Sequence, residues 1–407
     1  MSARLQTLAS GARLSPPLWL LVFITLSGTL GMHMFVPALP MAAHDLGTGV
    51  PAMQMTITLY IAGLAAGQLV YGPLADAFGR RPILLWGLAL YTLAGIAATF
   101  TTGVHSLIAA RLLQALGGCA GLVLGRAIVR DTSRTDDAVR RLALMNLMIV
   151  LGPGLAPAIG GALSSTLGWR SIFLLLATLG GLAFACSWQL LPETGRPSGN
   201  ISMRSLVHDY RQLLRSRMFV GYAIGGGCAT TAIYAFLASA PFIFAELHQP
   251  PAAVGLYLGL LMAGISMGSA ITSRLSGRVS VERLLLGGNA LSLGCASLLL
   301  VVVLTGHLTV FLAVSLMFCF TMGAGITSPA ALTRAISVDS HLVGSAAGLY
   351  GFSQMAVGGL CTSLVSLGGE PALAAAMVLT VVIAIARVAF MVAIRQQRRL
   401  AAAAVAS

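Results

Sequence analysis

Long apolar runs alternate with short charged or turn-rich breaks along the whole chain. A bilayer core about 30 Å thick is crossed by roughly 20 apolar helical residues. Twelve runs meet that length, over 17–38, 52–74, 82–101, 105–127, 142–165, 170–191, 218–244, 253–273, 283–304, 308–333, 343–366 and 371–394. Each predicts a membrane-spanning helix. The first follows Arg4 and Arg13 and imitates a signal peptide, but eleven further runs mark it as a retained span.

The breaks are sided. With both termini in the cytoplasm, twenty arginines fall in cytoplasmic breaks and only Arg170 falls outside, while Arg111, Arg126 and Arg387 lie within runs. Loops that stay in the cytoplasm are enriched in basic residues, so this count sets the orientation. The longest internal break, 192–217, reads as a cytoplasmic linker between a first half, 1–191, and a second half, 218–407. Leu74–Leu85 and Leu275–Leu286 occupy the same loop of each half, 201 residues apart, which favours a duplicated six-helix unit.

Composition narrows the chemistry. The chain of 407 residues is 57% hydrophobic and 9% charged, against about 25% charged in an ordinary soluble domain. All 24 basic residues are arginine. Without lysine there is no P-loop and no Schiff-base chemistry, so ATP bound to this chain is not an energy source. The net charge of +13 sits in short loops rather than on one solvated face, which argues against nucleic acid as a partner. Six cysteines lie inside apolar runs and never at CxxC spacing, so they read as packing residues, with no metal and no cofactor implied.

The sharpest motif follows the second run: Gly72-Pro-Leu-Ala-Asp-Ala-Phe-Gly-Arg-Arg-Pro-Ile83. Gly72 and Gly79 permit a tight turn, Asp76 accepts hydrogen bonds, and Arg80 and Arg81 hold the loop at the cytoplasmic face. This segment resembles the signature loop of the major facilitator superfamily. Phe35-Val-Pro-Ala-Leu-Pro40, Arg111-Leu-Leu-Gln-Ala-Leu-Gly117, Gly125-Arg-Ala-Ile-Val-Arg-Asp131, Gly168-Trp-Arg-Ser-Ile-Phe173 and Gly344-Ser-Ala-Ala-Gly-Leu-Tyr-Gly-Phe-Ser-Gln354 are similar to segments of bacterial drug:proton antiporters of the bicyclomycin and chloramphenicol resistance (Bcr/CflA) type. The resemblance implies an all-α membrane protein of twelve transmembrane helices in two pseudo-symmetric six-helix bundles, working as a monomer in the bacterial inner membrane. It further implies that Asp76 and its loop couple the two halves.

Gly152, Pro153, Pro157, Gly160 and Gly161 in the fifth run predict a bent, closely packed helix; the resemblance makes this the antiporter helix. The ladders Gly63 with Gly67, and Gly117 with Gly121 and Gly125, are expected to be close helix contacts. Arg111 stands about 9 Å below the outer end of the fourth run. A cation there avoids lipid, so with Gln114 on the same face it is expected to meet a water-filled centre, the alternative being satisfaction by carbonyls of a broken helix. Arg126 and Arg387 read as snorkelling residues near span ends. Gln68, Tyr222, Tyr234 and Gln354 are further candidates for the same cavity.

One position departs from the family. Related exporters carry an aspartate in the first span where this chain reads Gly31-Met-His-Met-Phe35, so His33 takes the place of the acid. No Asp or Glu remains in any membrane core, which removes the usual basis for cationic substrates. His33 stands as the intramembrane candidate for the proton, either in that role or as a packed polar residue. The expected activity is proton-coupled export of small amphipathic drugs or metabolites by alternating access, with substrate, protons and lipid as partners. The competing reading is a facilitator or exporter of a small anionic metabolite. No HExxH, GxSxG or Cys/His cluster supports an enzyme.

Overall fold

The computed structural model describes residues 16–132, 154–195, 197, 199, 203–275, 278–339 and 342–406. Among them the regular structure is helical. The first span is Leu18–His33, a 3₁₀ turn Val36–Ala38 and Leu39–Asp45. The second, third and fourth are Val50–Phe78, Arg80–Thr99 and Val104–Thr132. The fifth is helical over 154–167, and the sixth is Arg170–Leu190. The seventh comprises Arg217–Thr231 and Ile233–Glu246, followed by Pro251–Leu275, Val281–Leu304, Val310–Ile336, Val343–Ser366 and Pro371–Ala406 as the eighth to twelfth. Ten helices of the described residues are long and apolar enough to cross a membrane. The eleventh adds 24 residues, about 36 Å of helix, and part of the expected fifth span, with Gly152 and Pro153, lies outside the described residues.

The fourth and twelfth helices run on to Thr132 and Ala406, past the expected 127 and 394, and three further differences have a local reason. The first span does not end near 38. Pro37 and Pro40 lack the N–H that would bond one turn back, so the chain tightens into the 3₁₀ turn, where Leu39 N–H bonds Val36 O, and then resumes as helix to Asp45. The second span continues to Phe78 and stops at Gly79, whose φ of +101° favours glycine. The linker contains a helix, Met203–Arg215, with Tyr210 and Leu213 turned inward and Arg211 and Arg215 exposed.

The two halves repeat one packing plan. The fourth span packs against the first, second and third, and the third against the sixth; the tenth packs against the seventh, eighth and ninth, and the ninth against the twelfth. Hydrophobic burial does not drive helices together in lipid, so small residues that admit a neighbouring backbone carry much of the association. A β-carbon at Gly63 would stand 2.9 Å from Ala115 Cβ, and one at Gly67 would stand 2.6 Å from Cys119 Cβ. Gly117 meets the third span at Tyr91, and Gly121 meets Ile24 of the first. The outer surface is apolar in turn, with Trp86, Phe100 and Phe311 exposed, as a surface facing hydrocarbon requires.

Candidate functional site

A cavity of about 760 Å³ lies between the halves. At the linker end it is bounded by Asp76, Arg80, Arg126, Tyr210, Ile336 and Ser345, and it extends inward to Gln68, Met262, Thr230, Gln354, Tyr234 and His33. Beyond His33 the halves touch. Thr58 Oγ1 donates to Thr362 Oγ1 at 2.8 Å, joining the second span to the eleventh. Gln54 Nε2 reaches Ala238 O and Ser239 Oγ of the seventh at 3.3 Å. The fifth span meets the eighth backbone to backbone, Pro157 against Gly255 and Gly161 against Pro251, while Gly160 lies under the Met34 carbonyl at the first-span break. Pro157, Gly160 and Gly161 therefore sit in the seam that closes one end of the cavity.

His33 is 5% exposed, on the cavity wall, with its ring 6.4 Å from that of Tyr234. Nδ1 lies 2.9 Å from Thr29 O. A carbonyl only accepts, so Nδ1 carries the hydrogen and Nε2 is the nitrogen left to take a second proton. Gln68, Tyr234 and Gln354 also line the cavity; Gln354 Nε2 donates to Thr230 Oγ1 at 2.7 Å, bridging the eleventh and seventh spans.

Arg111, Gln114 and Tyr222 do not. Arg111 is 0% exposed, inside the first bundle. Its Nη1 donates to Gly31 O at 2.7 Å and to Gln114 Oε1 at 2.8 Å, and its guanidinium lies 3.9 Å from the Tyr60 ring. The first-span break lets Phe35 pack over the same group, against Phe173. The arginine thus meets a carbonyl of a broken helix and aromatic faces rather than a water-filled centre. Tyr222 is buried, and its hydroxyl donates to Gln397 Oε1 at 2.6 Å.

Arg126 reverses its expectation. Its side chain is exposed, and it belongs to the cavity wall. Arg387 bonds the Leu286 carbonyl instead of snorkelling. The only hint of Arg126 in the sequence is a cation one residue inside the end of the 105–127 run; the helix continues five residues past that run, to Thr132.

The loop Gly72–Ile83 is held by three carboxylates. Arg80 pairs with Asp76 at 2.7 Å, one turn back, and with Asp131 of the fourth span at 3.1 Å. Glu193 of the linker accepts from the backbone N–H groups of Arg80 and Arg81 at 2.9 and 3.2 Å, capping the third span where the helix dipole favours an anion. Arg81 donates to Trp188 O at 2.7 Å and lies 5.5 Å from its ring. Gly72 lines the cavity and Gly79 makes the turn. The Glu193 and Asp131 contacts cross more than 50 residues of sequence, and no local pattern announces them.

The Major Facilitator Superfamily description matches residues 21–362. The chain belongs to this superfamily. This major facilitator is similar to the Uncharacterized MFS-type transporter YdgK of Bacillus subtilis, 29% identical over 91% of this chain and 94% of that protein. It is 27% identical to the Bicyclomycin resistance protein homolog of Haemophilus influenzae, over 83% of this chain and 85% of the relative. Against the Multidrug transporter MdfA of Yersinia pestis the identity is 28% over 65% of each. Its fold matches the crystal structure of a D-xylose-proton symporter with a TM-score of 0.70 at 14% identity, covering 90% of this chain and 96% of the other. This major facilitator is a multi-pass membrane transporter with twelve spans in two pseudo-symmetric bundles, and it is not an enzyme.

Proposed function

We propose that this transporter exports small amphipathic drugs or metabolites in exchange for protons, by alternating access between residues 1–191 and 218–407 with 192–217 as the connection. The observation that carries the reading is the cavity between the halves, open toward the linker end and closed at the other by the 2–11 and 5–8 span contacts. Such a wedge serves rocking of two bundles about a central site. Relatives named for bicyclomycin resistance and multidrug transport support drugs as cargo. The arginine asymmetry supports cytoplasmic termini in a bacterial inner membrane, which makes the cavity inward-facing. His33 is the proton carrier on this reading, with Gln68, Tyr234 and Gln354 as substrate contacts and Asp76, Arg80 and Arg81 as the coupling loop. The protein works as a monomer.

Everted vesicles from expressing cells test it. Accumulation of an unmodified fluorescent drug that collapses on adding a protonophore is expected; accumulation indifferent to the protonophore would overturn proton coupling, and none would overturn export. Orientation is tested by Asn200→Cys in a cysteine-free background, which external maleimide should leave unlabelled in intact cells.

A further inference from the structure

Among the described residues, the cavity holds a cation that the ion pairs of Asp76, Arg80 and Asp131 do not include. Arg126 stands six residues before Thr132 in the fourth span, about 9 Å inside that end. Among the described lining residues the permanently ionic side chains are Asp76, Arg80 and Arg126, with His33 deeper. Asp76 and the nearby Asp131 are both engaged by Arg80. Arg126 has neither a hydrogen bond nor an ion pair among the described residues, although its guanidinium carries five donors in a fixed fork. A snorkelling arginine would run its head to the lipid interface; this one is exposed on the cavity wall beside Leu122 and Val123. The surrounding wall is apolar, aromatic and amide-bearing, with Met262, Tyr234, Gln68 and Gln354.

An arginine inside a spanning helix with no partner among the described residues is costly and is retained where it meets a pathway. A planar fork matches a carboxylate, sulfonate or phosphate in bidentate fashion, and such charge-assisted bonds are among the strongest a binding site offers. Asp76 is the one acid among the described lining residues, and it is engaged by Arg80. Arg111 does not serve, being sealed inside the first bundle.

We propose that Arg126 is the anion-binding position of this cavity, and that the transporter takes amphipathic organic anions whose acidic group sits on Arg126 and whose apolar or aromatic body lies toward Met262 and Tyr234. The proposal rests on the cavity being the transport path. It places the substrate's charge between the coupling loop and the proton-carrying candidate, so the anion leaves the Asp76–Arg80–Asp131 network intact.

The test uses the purified full-length protein and two fluorescent probes that share the anilinonaphthalene body, 8-anilino-1-naphthalenesulfonate and the neutral N-phenyl-1-naphthylamine. The wild type should bind the sulfonate more tightly. Arg126→Gln should weaken sulfonate binding about tenfold or more while changing neutral-probe binding by less than about twofold, the expected size for one charged hydrogen-bonded contact. Val123→Glu, one turn earlier on the same wall, supplies Arg126 with an internal carboxylate and should abolish the sulfonate preference without touching the arginine, which keeps the test decisive if Arg126→Gln fails to fold. An unchanged ratio of the two affinities in the folded variants, or no sulfonate preference in the wild type, overturns the proposal. Flux of both probes into everted vesicles separates it from the export reading: flux with an unchanged affinity ratio removes the anion position and leaves export, whereas Arg126-dependent binding without flux of either probe leaves the anion position and removes export.

Discussion

Arg111 Nη1 donates to the carbonyl oxygen of Gly31 at 2.7 Å, tying the fourth span to the first two residues before the first helix ends at His33. The bond holds a helix end whose continuation is interrupted by Pro37, and the guanidinium lies 3.9 Å from the Tyr60 ring and 5.7 Å from the Phe173 ring. Arg111 thereby positions His33 without touching the cavity.

Arg111→Ala should therefore act first on stability. Removing the fork leaves Gly31 O and Gln114 Oε1 without the donor they share, a loss of about 2–6 kcal/mol at roughly 1–3 per buried group. A lower thermal midpoint of the purified protein is expected, and Arg111→Lys should not restore it, because an ammonium neither forks nor stacks on Tyr60. Wild-type melting together with lost ligand binding would instead put Arg111 in contact with substrate.

Thr58 and Thr362 bridge the halves at the closed end. If that seam opens in each transport cycle, Thr58→Cys with Thr362→Cys, in a background without the native cysteines, should crosslink under oxidation, stop transport and recover on reduction. Crosslinked protein that transports at the normal rate would show that the seam stays shut.

Asp76 is 65% exposed at its side chain, and its partner Arg80 also holds Asp131. Asp76→Asn should cost only about 0–1 kcal/mol, as exposed pairs do, and leave melting nearly unchanged. Turnover should fall, with faster maleimide reaction of a cysteine placed at Ser345 on the cavity rim. Normal turnover at equal expression would remove the loop from coupling.

His33→Ala should flatten the dependence of transport on pH more than it weakens binding, because histidine is the side chain that ordinarily titrates near neutrality and Nε2 is the free nitrogen. His33→Asp, which installs the family residue, should shift preference toward cationic probes. Parallel flux and binding measurements between pH 6 and 8, roughly one unit either side of neutrality, decide it; unchanged pH dependence in His33→Ala would leave the histidine as a packed polar residue.

The spans were legible in the sequence because a bilayer imposes them locally. A run of roughly 20 apolar residues crosses hydrocarbon as a helix, which satisfies every backbone group within the segment, and glycine ladders such as Gly63 with Gly67 announce close contact by spacing alone. Which arginine faces the cavity was not legible. Arg111 and Arg126 share one helix and lie 15 residues apart, which at 3.6 residues per turn leaves them only about 60° apart around its axis. No periodicity distinguishes them. The tertiary structure does so, because at the Arg111 end the broken first span folds Phe35 over the guanidinium and the halves seal, while at the Arg126 end the halves part and leave that guanidinium on the open wall. The same holds for Glu193 and Asp131, whose places beside Arg80 depend on how helices distant in sequence pack. The sequence alone determined what must lie in the membrane, since that follows from each segment's own solvation, and only the assembled bundle determined which polar groups inside it meet water or substrate, since that depends on where neighbouring helices come apart.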